Sequence, residues 1–175
     1  VLVRRGGTSG IGIAAFQHGG FILDGGHRFA DKGDFLPSFA SSAPPPPVLF
    51  HHPFPWKLVV VVPNLQGSCS STEVNHFRRF CPIPLREVRE LSHIILMKLV
   101  PSLLEEDMAE FGAALNLIQR IGFKRREITL QHPVVRRLMK KMLASGAYGC
   151  GMSSFGPTVY CITDEHESVA AAALD

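Results

Sequence analysis

Residues 56–63 read Trp56-Lys57-Leu58-Val59-Val60-Val61-Val62-Pro63. A continuous apolar, mostly β-branched run is the mark of a buried strand, and Pro63 closes it because proline cannot donate to a ladder. A second strand is expected from Thr158 to Thr163, after a glycine-rich turn. Helical patterns fill the space between. Ser70 and Glu73 have capping-box spacing, which starts a helix near Ser71 with Val74, Phe77 and Phe80 as its apolar contacts. Leu85 to Val100 turns Val88, Leu91, Ile95, Leu96 and Leu99 inward and stops at Pro101. Asp107 and Glu110 mark another capped start; Phe111, Ala114, Leu115 and Ile118 share a face, and Gly122 is the expected stop. Pro133 to Ala144 places Val135, Leu138, Met139, Met142 and Leu143 at helical spacing, opposite a solvated face of Arg136, Arg137, Lys140 and Lys141, and Gly146 ends it. Val169 to Leu174 forms a short last helix. Strands mixed with helix pairs predict an α+β sandwich. Val59 to Val62 and Val159 to Ile162 belong to one antiparallel sheet, with the helices of 85–121 on one face.

Upstream the composition differs. Residues 1–36 are glycine-rich with short apolar runs. Pro44 to Pro47, followed by His51-His52-Pro53-Phe54-Pro55, favours stiff extended backbone, so a linker is expected at 37–55. The chain thus divides into 1–36, 37–55 and 56–175. Of its 175 residues 46% are hydrophobic and 19% charged, which excludes disorder for most of the length. A net charge of +3, from 18 basic and 15 acidic residues, is too weak to call for nucleic acid. No apolar run approaches the ~20 residues of a membrane span, since Ile94 to Leu104 is broken by Lys98 and Pro101. With no signal peptide, a cytoplasmic protein is expected. Cys69, Cys81, Cys150 and Cys161 contain no CxxC pair, so neither a zinc site nor a disulfide framework is expected. His51-His52 lacks a third ligand.

Two glycine segments carry candidate chemistry. In Arg5-Gly6-Gly7-Thr8-Ser9-Gly10-Ile11-Gly12 the glycines allow backbone N–H groups to approach an anion, Thr8 and Ser9 add hydroxyls, and Arg5 can pair with phosphate. A helix from Ile11 to His18 would turn its positive end toward that anion. The pattern is neither GxxxxGK[ST] nor a strand followed by GxGxxG. Taken alone, it serves equally as a tight structural turn. The second segment, Gly149-Cys150-Gly151-Met152-Ser153-Ser154-Phe155-Gly156-Pro157-Thr158, also suits close approach to a ligand, or equally a glycine-rich hairpin packed under a helix.

Together the segments resemble the GHMP kinase superfamily, and within it the β-ribofuranosylaminobenzene 5′-phosphate synthase family of the methanopterin pathway. The resemblance rests on RGGTSGIGIAAFQHGGFILDGGH (5–27), RRFCPIPL (78–85), FGAALNLIQRIGFKR (111–125) and GAYGCGMSSFGPTVY (146–160). It implies a two-domain α+β fold with a ferredoxin-like C-terminal half. Residues 1–36 would be the remainder of the N-terminal domain and 56–175 the C-terminal domain. The implied activity condenses 4-aminobenzoate or 4-hydroxybenzoate with phosphoribosyl pyrophosphate, releasing carbon dioxide and pyrophosphate. Mg2+ is expected with the pyrophosphate, no organic cofactor is expected, and a homodimer is compatible. Arg4 stands where the family leads one to expect glycine. The superfamily's main phosphate loop would lie upstream of these residues, so the chain is expected to lack an N-terminal part.

In the kinases the Ser-Gly-Ile segment is commonly followed by an Asp that assists phosphoryl transfer. Here that position is Gly12, which can neither act as a base nor orient a hydroxyl. The alternatives are an ATP-dependent small-molecule kinase or an inactive fragment. Implied phosphate ligands are Arg5, Gly6, Gly7, Thr8, Ser9 and Gly10 from the first segment and Gly151, Ser153, Ser154 and Gly156 from the second. Asp24, after the strand-like Phe21-Ile22-Leu23, would hold magnesium or orient the sugar. His27 would donate to the pyrophosphate or the carboxylate. The bland reading of Asp24 to His27 is a polar turn at a strand end. Lys124-Arg125-Arg126 reads as a solvated loop or an electrostatic funnel, Cys150 as a small buried residue, and Phe155 as either a substrate-facing ring or core.

Overall fold

The computed structural model describes residues 9–38, 43–67 and 70–174, and the chain divides into two units. One comprises Val1–Phe54 with Ser70–Pro82, the other Pro55–Cys69 with Ile83–Asp175.

The first unit holds α1 (Gly10–His18), β1 (Phe21–Asp24), α2 (Phe29–Lys32), β2 (Val48–His52) and α3 (Ser70–Phe80). Strands β1 and β2 pair antiparallel, Phe21 opposite His52, with a register shift between Leu23 and Asp24. The run expected as a linker therefore contains a strand. Its prolines preset extended backbone, and Val48 to His52 continue it into a ladder once their N–H groups are available. Helix α3 starts at Ser70 as expected; the described residues do not include the side chain of Ser70.

The second unit holds β3 (Leu58–Val61), β4 (Gly149–Met152) and β5 (Val159–Ile162) in an antiparallel sheet of order β3-β5-β4. Val59 pairs with Cys161, and Cys150 pairs with Cys161 from the other side. The two expected strands do share one sheet. One face carries Val59, Val61, Cys150, Met152, Val159 and Cys161. It is covered by Val135, Leu138 and Met142 of α8 (Pro133–Ala144) and Val169 of α9 (His166–Leu174). Removing that apolar surface from water is the main stabilising contribution.

Expectation and structure differ in several places here. The valine run is not buried throughout: Leu58, Val60 and Val62 are 45%, 56% and 73% exposed, because β3 is an edge strand with one face against the core. The helix beginning at Leu85 does not stop at Pro101. Helix α4 (Leu85–Ile94) widens into a π-helical turn over Ile95–Leu99, and α5 (Val100–Leu104) resumes with Pro101 in its first turn. A proline lacking an N–H is tolerated there, and the widened turn lets Val100 N–H donate to Ile95 O. Finally, the helices of 85–121 do not cover one whole face: α6 (Met108–Ile118) meets the sheet at β4, while α8 and α9 fill the opposite face.

The α6–β4 junction depends on two glycines. A Cβ on Gly112 would lie 2.5 Å from the Tyr148 carbonyl carbon, and one on Gly149 would lie 2.5 Å from Gly112 O. Helix and strand backbones therefore touch directly. One turn on, Asn116 Oδ1 accepts from Cys150 N–H (3.0 Å) and its Nδ2 donates to Tyr148 O (2.9 Å); Gln119 Oε1 accepts from Met152 N–H (3.1 Å). These amides occupy the hydrogen-bonding groups that β4, as an edge strand, would otherwise leave unpaired.

Helix α7 (Gly122–Leu130) forms where a loop was expected. Its start is held from α4: Glu87 accepts from Gly122 N–H (2.9 Å), Arg126 (2.8 Å) and Arg125 (3.2 Å). Gly122 takes φ +60°, and a carboxylate at a helix N-terminus is favoured by the dipole. The hydrogen bonds from Arg126, then the Gly122 N–H and the nearby guanidinium charges, hold the Glu87 carboxyl down at about 2.

Two outcomes are expected. Gly112→Ala gains helix propensity but forces a Cβ into backbone, so it should destabilise by about 3 kcal/mol in urea unfolding; a stabilised variant would contradict the contact. Glu87 has its pKa lowered on folding, from near 4.5 to about 2. Its contribution is fully present above about 4.5 and is lost as pH falls toward 2. Wild type should therefore lose thermal stability across that window, and Glu87→Gln should be less stable at pH 7 and show a flatter acid limb.

Candidate functional site

Ser9 caps α1, its Oγ accepting from Gly12 N–H at 3.4 Å. Gly10, the first helical residue, is buried: a Cβ there would sit 2.3 Å from Pro46 Cγ and 2.9 Å from Asp24 Oδ2. The Asp24 carboxylate thus lies beside the positive end of α1. Its other oxygen accepts from Gly26 N–H at 3.0 Å in an Asx turn. The proline run straps this corner: Pro46 covers Gly10, Pro47 O accepts from Gly25 N–H (2.9 Å), and Pro44 O lies 3.0 Å from His27 Nδ1.

A carbonyl only accepts, so His27 Nδ1 donates this hydrogen bond. Nε2 is buried with no hydrogen-bond partner among the described residues. His27 was expected to donate to an anion; with Nδ1 engaged by Pro44 O, Nε2 is the ring nitrogen left for a ligand. Ser9, Gly10, Asp24 and His27 are brought to one corner. Arg5, Gly6, Gly7 and Thr8 lie outside the described residues.

Among the described residues no group of three His, Cys, Asp or Glu side chains could hold a metal ion. Magnesium bound with a pyrophosphate needs only one or two protein carboxylates, the rest of its shell being phosphate oxygen and water. The chemistry of Asp24 fits that share.

The second glycine segment lies in the other unit and divides in two. Gly151, expected as a phosphate ligand, is instead a buried strand residue: the Tyr160 ring lies over it, and a Cβ would come within 2.6 Å of that ring. Gly149 is glycine for α6, as described. The exposed part is the turn from Ser153 to Gly156, closed by Ser153 N–H to Thr158 O (2.9 Å) and Gly156 N–H to Ser153 O (2.7 Å). Ser154 has φ +45° and Gly156 +77°. Ser153 and Ser154 are exposed. Lys124 Nζ donates to Ser154 O at 2.7 Å and pairs with Glu127 at 2.6 Å, and Gln131 Nε2 donates to Phe155 O. The Phe155 ring meets Phe123 edge-on at 6.0 Å, so it packs within the fold.

The basic run 124–126 is not a free funnel, since each charge has a carboxylate partner: Glu127 for Lys124, Glu87 for Arg125 and Arg126. Arg136 caps α7, reaching Ile128 O and Thr129 O at 3.1 and 3.0 Å. Cys150 is fully buried against Cys161, whose hydrogen bond pushes the Cys150 thiol far up; it is no nucleophile. Sequence reasoning missed Gln119 and Gln131. The signal for Gln119 was available, because Gly112, Asn116 and Gln119 recur at i, i+4 and i+7 on one helix face.

Residues 99–175 match the family GHMP kinases C terminal. The chain is 52% identical over 176 residues to the Beta-ribofuranosylphenol 5'-phosphate synthase of Methanothermobacter thermautotrophicus, covering 99% of this chain and 54% of that protein. To the protein of the same name in Methanocaldococcus jannaschii it is 44% identical, over 94% of this chain and 51% of that one. Thus the chain spans about half the length of the curated relatives it matches. Its fold is that of homoserine kinase from Cytophaga hutchinsonii (TM-score 0.64, 19% identity, 92% of this chain and 45% of that one). L. major mevalonate kinase in complex with R-mevalonate is also similar (TM-score 0.57, 15% identity, 74% and 41%). The chain is thus similar over nearly its whole length to proteins named Beta-ribofuranosylphenol 5'-phosphate synthase, and its residues 99–175 match the GHMP kinases C-terminal family.

Proposed function

We propose that the protein joins 4-hydroxybenzoate to phosphoribosyl pyrophosphate with loss of carbon dioxide and pyrophosphate. The observation that carries this reading is Gly12, in the first turn of α1 of a chain so similar to proteins named as synthases. The kinase fold is kept, but the carboxylate that serves phosphoryl transfer is replaced by hydrogen. The phenol in the relatives' name favours the 4-hydroxy acid over 4-aminobenzoate.

In this reaction the bond from ribose C1 to pyrophosphate breaks as positive charge develops on the sugar. The ring carbon bearing the carboxylate forms the new carbon–carbon bond. The bond to the carboxylate then breaks, its electron pair restores the aromatic ring, and carbon dioxide leaves. No covalent enzyme intermediate is required. The residues left to this chain are those that bind and orient. In the first unit Ser9 and the N-terminus of α1 suit phosphate oxygens; in the second unit, taken by itself, the hydroxyls of Ser153 and Ser154 suit the same chemistry. Asp24 would hold magnesium, which supplies charge to the leaving pyrophosphate. The unpartnered Nε2 of His27 is left to hydrogen-bond a polar group of the substrate.

The test uses full-length protein with phosphoribosyl pyrophosphate and carboxyl-labelled 4-hydroxybenzoate. Labelled carbon dioxide should be released; turnover of ATP on sugar alcohols or mevalonate-like acceptors, without that release, would establish a kinase. A second expectation concerns Gly12. Its φ is ordinary and its side is open apart from Ser9 Oγ, 3.0 Å from a built Cβ. Gly12→Asp removes a helical glycine and adds a carboxylate to the first turn, so thermal denaturation should show it at least as stable as wild type, by up to about 1 kcal/mol. It should acquire no phosphoryl transfer.

A further inference from the structure

The turn between β4 and β5 is held from beneath by three side chains. Gln119 Oε1 accepts from Met152 N–H, Lys124 Nζ donates to Ser154 O, and Gln131 Nε2 donates to Phe155 O. The middle contact is the unusual one. A lysine on a short helix ordinarily carries its ammonium to water. Lys124 instead places it between a loop carbonyl and Glu127, whose side chain is 8% exposed. Burying such a pair costs desolvation and promises no net stability. What it secures is position. The carbonyl it grips belongs to Ser154, which has a Cβ and yet sits at φ +45°, a conformation kept only where the surroundings impose it. The exposed tip residues Ser153 and Ser154 adjoin the carbonyl so held.

We infer that Lys124 is a positioning residue: through Ser154 O it fixes the Ser153–Ser154 tip for the phosphate groups of a pyrophosphate-bearing sugar, without touching that ligand. This rests on the proposed reading of the tip as a phosphate site. Its ammonium is already paired with Glu127, so it has no excess charge to offer.

The experiment compares wild type, Lys124→Met and Lys124→Arg in full-length protein. Calorimetry measures phosphoribosyl pyrophosphate binding, steady-state assays give KM and kcat, and hydrogen exchange follows residues 152–158 without ligand. Lys124→Met should weaken binding and raise KM for the sugar about tenfold while kcat stays within about threefold, because geometry rather than chemistry is lost. Its tip amides should exchange faster. Lys124→Arg, still a donor to a carbonyl, should recover most of the affinity. Unchanged binding in folded Lys124→Met overturns the inference. So does a uniform fall in stability and kcat with KM unchanged, and so does absence of binding by wild type. If Lys124→Met does not fold, Lys124→Arg and Lys124→Gln decide the matter: affinity that does not follow tip exchange across the two overturns it. Binding by wild type with no carbon dioxide release would sink the proposed reaction, while the Lys124 effect on affinity would still stand.

Discussion

Gly112 and Gly149 let α6 lie directly on β4, and the second unit is arranged around that approach. With any side chain at either position the helix would stand off. Asn116 and Gln119 would then lose their reach to Tyr148 O, Cys150 N–H and Met152 N–H. The edge of β4 would be left as a row of unsatisfied groups. The contact also sets where the chain emerges from α6, and so where α7 begins. From α7 and the residue that ends it come Lys124 and Gln131, the side chains that hold the β4–β5 turn. A backbone-to-backbone contact thereby determines the position of two exposed serines roughly forty residues along the chain.

The first unit solves a similar problem with different means. Its strands are short and its helix α1 is apolar, so little core is available to hold the Asp24 to His27 turn. The proline run does so instead. Its backbone is extended in the unfolded chain as well, so holding it costs less conformational entropy than holding an ordinary segment. Its carbonyls and rings meet Gly10, Gly25 and His27. The result places a carboxylate at the positive end of a helix and an unpartnered histidine nitrogen nearby.

Much of this was legible. Periodicity found β3, β5, α6 and α8, because each has an apolar face that the core requires. It missed α7, whose Lys124-Arg125-Arg126-Glu127 reads as loop; the helix is nucleated by Glu87, more than thirty residues away. It missed β2, because prolines next to a strand look like a linker until the partner strand is known. It misread Pro101, since nothing in the pattern announces a π-turn. Ser9 and Asp24 in the first unit and the tip serines in the second were visible as residue types. Glycines were harder to interpret: Gly10 and Gly151 are required by Pro46 and by the Tyr160 ring, contacts that spacing does not disclose. A glycine that admits a neighbour and one that admits a ligand look alike in sequence.

That distinction can be measured. On the proposed reading, ligand phosphates meet the tip of the second glycine segment and not its strand. In the full-length protein, amide resonances of Ser153, Ser154 and Gly156 should shift on titration with phosphoribosyl pyrophosphate, while those of Cys150 and Gly151 stay in place. Shifts confined to the strand residues, or a tip indifferent to saturating ligand, would contradict it.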